Sequence, residues 1–210
     1  MDLVTITDHD STDGLHRIQN HPNAYISAEV TCHMPTGTQI HVGVYDITER
    51  QHIQIQGRRN DLVSLLMYLS KHRIFFSLNH LFSSLTGPRT QEDFDWFRDY
   101  FPAFETRNGQ MLTRLNRRAE HLARRWQKIG VGGSDAHTLA WAGTTYTEVC
   151  GARNKEEFLS GPRSGNGYLR GAKGSYGSLA SDLLRISGHA FQENPWMGAF
   201  VPILLYSCQR

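Results

Sequence analysis

Two short motifs place an imidazole beside a carboxylate at the end of an apolar run. The first is Thr7-Asp8-His9-Asp10, and the second is Ser134-Asp135-Ala136-His137 behind the Gly132-Gly133 pair. Imidazole nitrogens and carboxylate oxygens together make the donor set of Zn, Mn and Fe sites. An acid adjoining a ligating histidine can also orient the ring through its other nitrogen. Each motif has a plainer reading too: Asp8 or Asp10 as a helix N-cap with His9 exposed, and Asp135-x-His137 as a chance pair. Two motifs of one kind in a chain with eleven histidines in 210 residues favour metal chemistry.

The elements needed to position these residues are legible from hydrophobic periodicity. Leu3 to Thr7 reads as a buried strand running into the first motif, with Ser11-Thr12-Asp13 able to cap a following helix. Residues 24–31 and 39–45 read as strands broken by Pro35-Thr36-Gly37. Residues 61–72 carry Leu62, Leu65, Leu66 and Leu69 at helical spacing, and the strand-like run Ile74 to Leu78 ends at Asn79-His80. Residues 94–100 read as a helix and 103–106 as a strand. Residues 111–129 form the clearest helix, with Leu112, Leu115, Ala119, Leu122 and Trp126 on its buried side. A strand at 129–133 delivers the second motif. This alternation predicts an α/β fold in which His9, His80, Asp135 and His137 gather at the C-terminal ends of strands. Residues 160–178, rich in Gly, Ser and Arg, read as a surface loop, and Leu179 to His189 as a helical tail. One domain spanning 1–210 is expected.

Composition narrows the partners. The formal net charge of +2 gives no strong electrostatic reason for nucleic acid or membrane as the main partner. Arg107, Arg114, Arg117, Arg118, Arg124, Arg125 and Lys128 crowd the long helix, where they read as a solvated face because no aromatic stacking platform is evident beside them. Cys32, Cys150 and Cys208 are too few and too scattered for a disulfide framework and fit reduced thiols in the cytoplasm. No basic, apolar leader opens the chain, and the longest apolar stretch, Ala199 to Tyr206, is interrupted by Pro202 and too short to span a bilayer.

The run Val4-Thr-Ile-Thr-Asp-His-Asp-Ser-Thr-Asp-Gly14, with Gly133-Ser-Asp-Ala-His-Thr138 downstream, resembles the polymerase and histidinol phosphatase (PHP) family. The similarity continues through Ala28-Glu29-Val30-Thr31, Ile40-His41-Val42, Asn79-His80, Glu105-Thr-Arg-Asn-Gly109 and Gly143-Thr-Thr-Tyr-Thr-Glu148. The resemblance implies a distorted seven-stranded β/α barrel that binds up to three divalent ions (Mn, Zn or Fe) and hydrolyses phosphoesters through metal-activated water. It assigns His9, Glu29, His41, His80, Asp135 and His137 as metal ligands, with Glu29 bridging two ions. Asp8, Asp10, Glu105 and Asn108 are the candidates for supporting the ligands or contacting substrate, Asn108-Gly109 also reading as a simple turn. The remaining histidines match no ligand position, His33 coming nearest by its closeness to Glu29.

Members of that family open with a His-x-His strand ahead of the Thr-Asp-His motif, whereas this sequence begins within the strand leading to His9. The expectation is therefore a barrel without its first strand and a partial metal cluster, more complete on the His41 and His80 side. The expected substrate is a small phosphorylated metabolite, a nucleotide or an RNA end. The alternatives are an amidohydrolase-type metal hydrolase and a non-catalytic fragment.

Overall fold

The computed structural model describes residues 3–18, 20–83, 86–171 and 174. Its elements in chain order are α1 (Asp13–His16), β1 (Ser27–His33), β2 (Gln39–Tyr45), α2 (Glu49–Gln56), α3 (Leu62–Lys71), β3 (Phe75–Leu78), α4 (Gln91–Tyr100), β4 (Ala103–Asn108), α5 (Thr113–Arg125), β5 (Ile129–Gly133), β6 (Thr145–Val149), α6 (Lys155–Arg163) and β7 (Gly167–Gly171). The first five strands form one sheet in sequential order, and β6 pairs with β7 in a separate two-stranded sheet.

The fold is mixed α/β, and its sheet is not the closed parallel barrel that the family resemblance implies: among the described residues it is open and of mixed direction. The connections explain the directions. β1 and β2 are joined by the turn around Gly37, at φ +86°, which is too short for a parallel crossover, so they pair antiparallel. Two helices, α2 and α3, take the chain across the sheet and back, so β3 runs against β2. Single helices, α4 and α5, then leave β3, β4 and β5 parallel. The segment before α1 is not the continuous strand that Leu3 to Thr7 suggests. It is held by isolated parallel bridges, Val4 to Ala24 just ahead of β1 and His9 to Glu29 within it.

Leu62, Leu65, Leu66 and Leu69 are buried as their spacing predicts, and they meet Val30, Val42, Val44 and Leu78 from the sheet. Burying each such aliphatic side chain contributes about 1.5–3 kcal/mol. On α5 the buried positions are Asn116, Ala119 and Ala123, with Leu122 and Trp126 only partly covered. The helix is thus turned relative to the expected face, because it must present Asn116 to the backbone of β4. No apolar stripe marks α2, which shows only Ile55 to the core and starts at a capping box formed by Thr48 and Gln51. Residues 160–171, expected as loop, instead complete α6 and form β7. There, cross-strand pairing with β6 outweighs the glycine and serine content. Residues 172, 173 and 175–178 of that loop and the expected tail helix lie outside the described residues. No helix among the described residues is long and apolar enough to cross a membrane.

Asp93 links α4 to the β1–β2 turn. It closes a capping box with Thr90 and accepts hydrogen bonds from the Thr36 and Thr38 hydroxyls at 2.5 and 3.0 Å. Burial pushes the carboxyl pKa up, but the Thr36 hydroxyl, the Thr90 backbone N–H and the Thr38 hydroxyl together outweigh it and hold the group below its ordinary value. A depressed folded-state pKa contributes stability that is present above the unfolded value and lost as pH falls through the folded one. Thermal melts from pH 7 downward are therefore expected to show Asp93→Asn destabilised at pH 7 by about 1–3 kcal/mol. The difference from the parent chain should shrink below about pH 4, and a constant difference across that range contradicts the assignment.

Candidate metal centre

Glu29 lies on the face of β1 opposite the core residues Ala28, Val30 and Cys32, yet is buried at 6% exposure. The β1–β2 register pairs Glu29 with Gly43 and Thr31 with His41, so His41 sits diagonally across the ladder on the same face as Glu29. Gly43 keeps the position opposite Glu29 clear. A Cβ there would come within 2.6 Å of the Tyr45 hydroxyl and 2.9 Å of the Asn79 amide oxygen. The Asn79 backbone N–H donates to the His41 carbonyl at 2.9 Å, which extends the β2–β3 pairing by one step. His80 follows in the left-handed region at φ 27°, and this turns its ring back toward Glu29. His9 arrives from the other side through its parallel bridge to Glu29.

The result is one carboxylate contacted on both oxygens. His9 Nε2 is 3.4 Å from Glu29 Oε2, while His80 Nε2 and His41 Nδ1 are 3.1 and 3.8 Å from Oε1. The Asn79 amide donates to Oε1 at 2.9 Å, and His41 Nδ1 and His80 Nε2 lie 3.0 Å apart. A second carboxylate group stands beside this one. Glu105 Oε2 accepts the His80 backbone N–H and the Asn108 amide, each at 2.9 Å, and the same Asn108 amide reaches Asp135 Oδ2 at 3.0 Å. Asn108 is itself clamped by Asn116, which accepts from the Asn108 backbone N–H and donates to its carbonyl.

Burial would raise the Glu29 pKa, but the hydrogen bond and positive charge of His80, with the Asn79 amide, hold it down to about 2. The same contact works on His80, which burial would lower and Glu29 brings up to about 9. His41 is pushed down to about 4, by burial first and by its imidazole neighbours against the pull of Glu29. Burial and the nearby Asp135 charge push Glu105 up. A cluster this rich in carboxylates, relieved by protonating its own members, has the electrostatics of a cation site. His80 Nδ1 is buried with no hydrogen-bond partner among the described residues. An orphaned imidazole nitrogen beside carboxylates fits a divalent ion.

Of the expected ligands, His9, Glu29 and His41 bring donor atoms within 4.8 Å of one another, and His80 joins them through Glu29. Asp135 is tied in through Asn108 and Glu105, with its backbone at φ 48°. His137 is exposed and its Nδ1 lies 3.0 Å from the Asp135 carbonyl, so its ring turns to its own loop. Asp8 and Asp10 do not orient His9. The Asp8 carboxylate accepts the Gly14 N–H at 2.7 Å, and Asp10 accepts the Thr31 N–H and pairs with Arg59 at 2.6 Å. Both carboxylates are consumed in shaping the loop, and Glu29 takes the His9 contact instead.

Sequence reasoning missed Asn79, Asn116 and Gln39, whose amide nitrogen is 3.0 Å from His41 Nε2. Asn79 had a signal, an amide directly preceding His80 at a strand end. Gln39 also had one, standing two residues before His41 and hence on the same face of β2; Asn116 had none, since its partner Asn108 belongs to a different element.

Residues 113–166 match the family model PHP_C, described as PHP-associated. No curated protein matches the chain. The fold is similar to that of a two-domain protein from Bacteroides vulgatus ATCC 8482 containing a predicted PHP-like metal-dependent phosphoesterase. The TM-score is 0.63 at 14% identity, over 82% of this chain and 56% of that one. The chain thus spans little more than half the length of that protein. It is also similar to PsfC from Pseudomonas syringae PB-5123, with TM-score 0.61 and 18% identity over 92% of this chain and 84% of that one.

Asn79 is the neutral donor that holds the Glu29 carboxylate in place. Asn79→Ala is expected to weaken Mn(II) or Zn(II) binding by about 10- to 100-fold with the fold retained, since removing partners of ligands typically costs that much. Calorimetric titration of the folded variant checks this; affinity within about twofold of the parent would remove Asn79 from the centre.

Proposed function

We propose that this chain, whose residues 113–166 match the PHP-associated family model, is a PHP-type metal-dependent phosphoesterase whose substrate is a phosphomonoester, a nucleotide or the phosphate end of an oligonucleotide. The observation that carries this reading is Glu29, a buried carboxylate met on its two oxygens by His9, His41 and His80 from three separate stretches of chain. His9, Glu29, His41 and His80 would hold divalent ions, with Asp135 beside them. This all-imidazole and carboxylate set suits Mn, Zn or Fe. Such a cation, when bound, supplies Lewis acidity toward phosphate oxygens and toward water.

The chain's own groups do the positioning. Glu29 offers an oxygen on each side and so can serve two ions. Glu105 accepts the His80 N–H and fixes the turn that aims this imidazole. Asn108 spans Glu105 and Asp135, holding apart two acids that would otherwise repel. Asn116 locks Asn108 from the helix behind it. No side chain need act as a covalent nucleophile in this arrangement. The exposure of His9 leaves the cluster open on one side, from which a phosphate could approach.

A panel of phosphomonoesters, nucleotides and short RNAs assayed with added Mn(II) tests the proposal. Turnover of at least one phosphoester is expected, lost on chelation and reduced more than about 100-fold in Glu29→Gln, beyond the loss typical for partners of ligands. Turnover of amides in place of phosphoesters would instead support an amidohydrolase-type activity. No turnover of either would favour a binding role.

A further inference from the structure

We propose a second site, apart from the histidine cluster, that binds a phosphate-bearing ligand with an aromatic ring, the nucleotide class, in the groove between α5, the ends of β4 and β5, and β7. The groove has a volume of about 410 Å³, and none of His9, Glu29, His41 and His80 lines it. One wall is a face of α5. Thr113, Asn116, Arg117, Glu120 and Arg124 recur at helical spacing along it, and Lys128 continues the line beyond the helix. At about 1.5 Å per residue this wall runs about 16 Å, longer than a lone phosphate needs.

The groove sets Arg107, Arg117, Arg124 and Lys128 against one lining carboxylate, Glu120. Glu120 pairs with Arg124 at 2.7 Å, and no ion pair engages Arg117 among the described residues. Arg107 donates one guanidinium N–H to the Leu169 carbonyl at 2.7 Å, which anchors the side chain and leaves its other donors for a ligand. Planar guanidinium groups match phosphate oxygens in pairs. Lys128 also has Asp99 near it, so Arg107 and Arg117 are the principal contacts.

A register break puts Arg107 in this groove. The β4–β5 ladder slips between Glu105 and Arg107. Consequently Thr106 and Arg107, consecutive residues, both line the groove, while Glu105 and Asn108 on either side of them meet at the carboxylate cluster. Gly130 keeps the floor open, because a Cβ there would sit 2.8 Å from the Thr106 hydroxyl. At the other wall Tyr168 is 51% exposed and the Arg170 guanidinium lies 5.8 Å from its ring centre. A half-exposed aromatic ring at the edge of a cationic groove is the combination that holds a base beside its phosphate. Hydrophobic periodicity could not reveal it, since β7 brings Tyr168 to α5 only through the β6 pairing.

Titration of the full chain under chelation, so that the histidine cluster contributes no metal, tests the proposal. The probes are AMP, adenosine, inorganic phosphate and a single-stranded RNA of about ten nucleotides, within the range of strand sites. AMP is expected to bind more tightly than phosphate or adenosine, and Arg117→Ala with Arg124→Ala to weaken it about 10-fold or more and flatten its salt dependence. Both arginines are exposed, so the variants should melt as the parent does. Tyr168→Ala should weaken AMP about 3- to 10-fold and leave phosphate unchanged. RNA at least about 10-fold tighter than AMP would identify a strand as the ligand, and equal affinity a free nucleotide; either supports the site. AMP and RNA binding that these substitutions leave intact, or no binding of any probe to the folded chain, overturns it.

Discussion

A carboxylate taken out of water must find partners or lose its charge. Glu29 is the point at which that constraint shapes this protein. Its oxygens are satisfied by His9, His80 and the Asn79 amide, with His41 close by. They come from three separate stretches of the backbone, Asn79 and His80 being neighbours at the end of β3. The bridge that brings His9 alongside β1, the register that sets His41 diagonal to Glu29 and the step that adds Asn79 to the β2–β3 pairing are all conditions for keeping one charge buried. Removing any of them leaves an uncompensated carboxylate or an unpartnered imidazole.

The backbone bends to meet this demand. Asp10, His80 and Asp135 all have left-handed dihedrals, at φ 56°, 27° and 48°. Each such residue costs on the order of 1–3 kcal/mol, a cost that persists only where surrounding contacts over-determine the conformation. The contacts are present: Arg59 and Thr31 on Asp10, Glu105 on His80, and Asn108 on Asp135. The break in the β4–β5 ladder has a similar logic. Three residues apart on a regular strand, Glu105 and Asn108 would point to opposite faces. With one residue left out of the pairing they meet at 2.9 Å. The same break directs Arg107 away from the acids, so one irregularity separates a cation-seeking cluster from a basic groove.

Much of this was readable in the chain. The leucines of α3 lie at helical spacing and are buried, and the residue ranges of β2 and β5 follow from apolar runs ending at polar turns. Position in an ordered set of motifs brought out Glu29, His41 and His80, which the structure draws together. Other readings failed for identifiable reasons. Asp8 and Asp10 have the right chemistry beside His9, but local backbone N–H groups and Arg59 claim them first. Loop-like composition at 160–171 was overridden by pairing with β6. The face of α5 was misjudged because a buried Asn116 counts as polar in any periodicity yet is required by the Asn108 backbone.

By itself the sequence determined which residue types stand at the ends of which apolar segments, and so the α/β class and the donors available for metal. That information is local, carried by the repeat of a strand or helix and by motifs a few residues long. Strand direction, the openness of the sheet, the turning of His137 to its own loop and the placing of Tyr168 and the arginines of α5 around one groove were decided only in the tertiary structure. These depend on how many times a connection crosses the sheet and on which hydrogen-bonding group reaches a partner first. Both are properties of the packed chain, because residues distant in sequence compete for the same buried space.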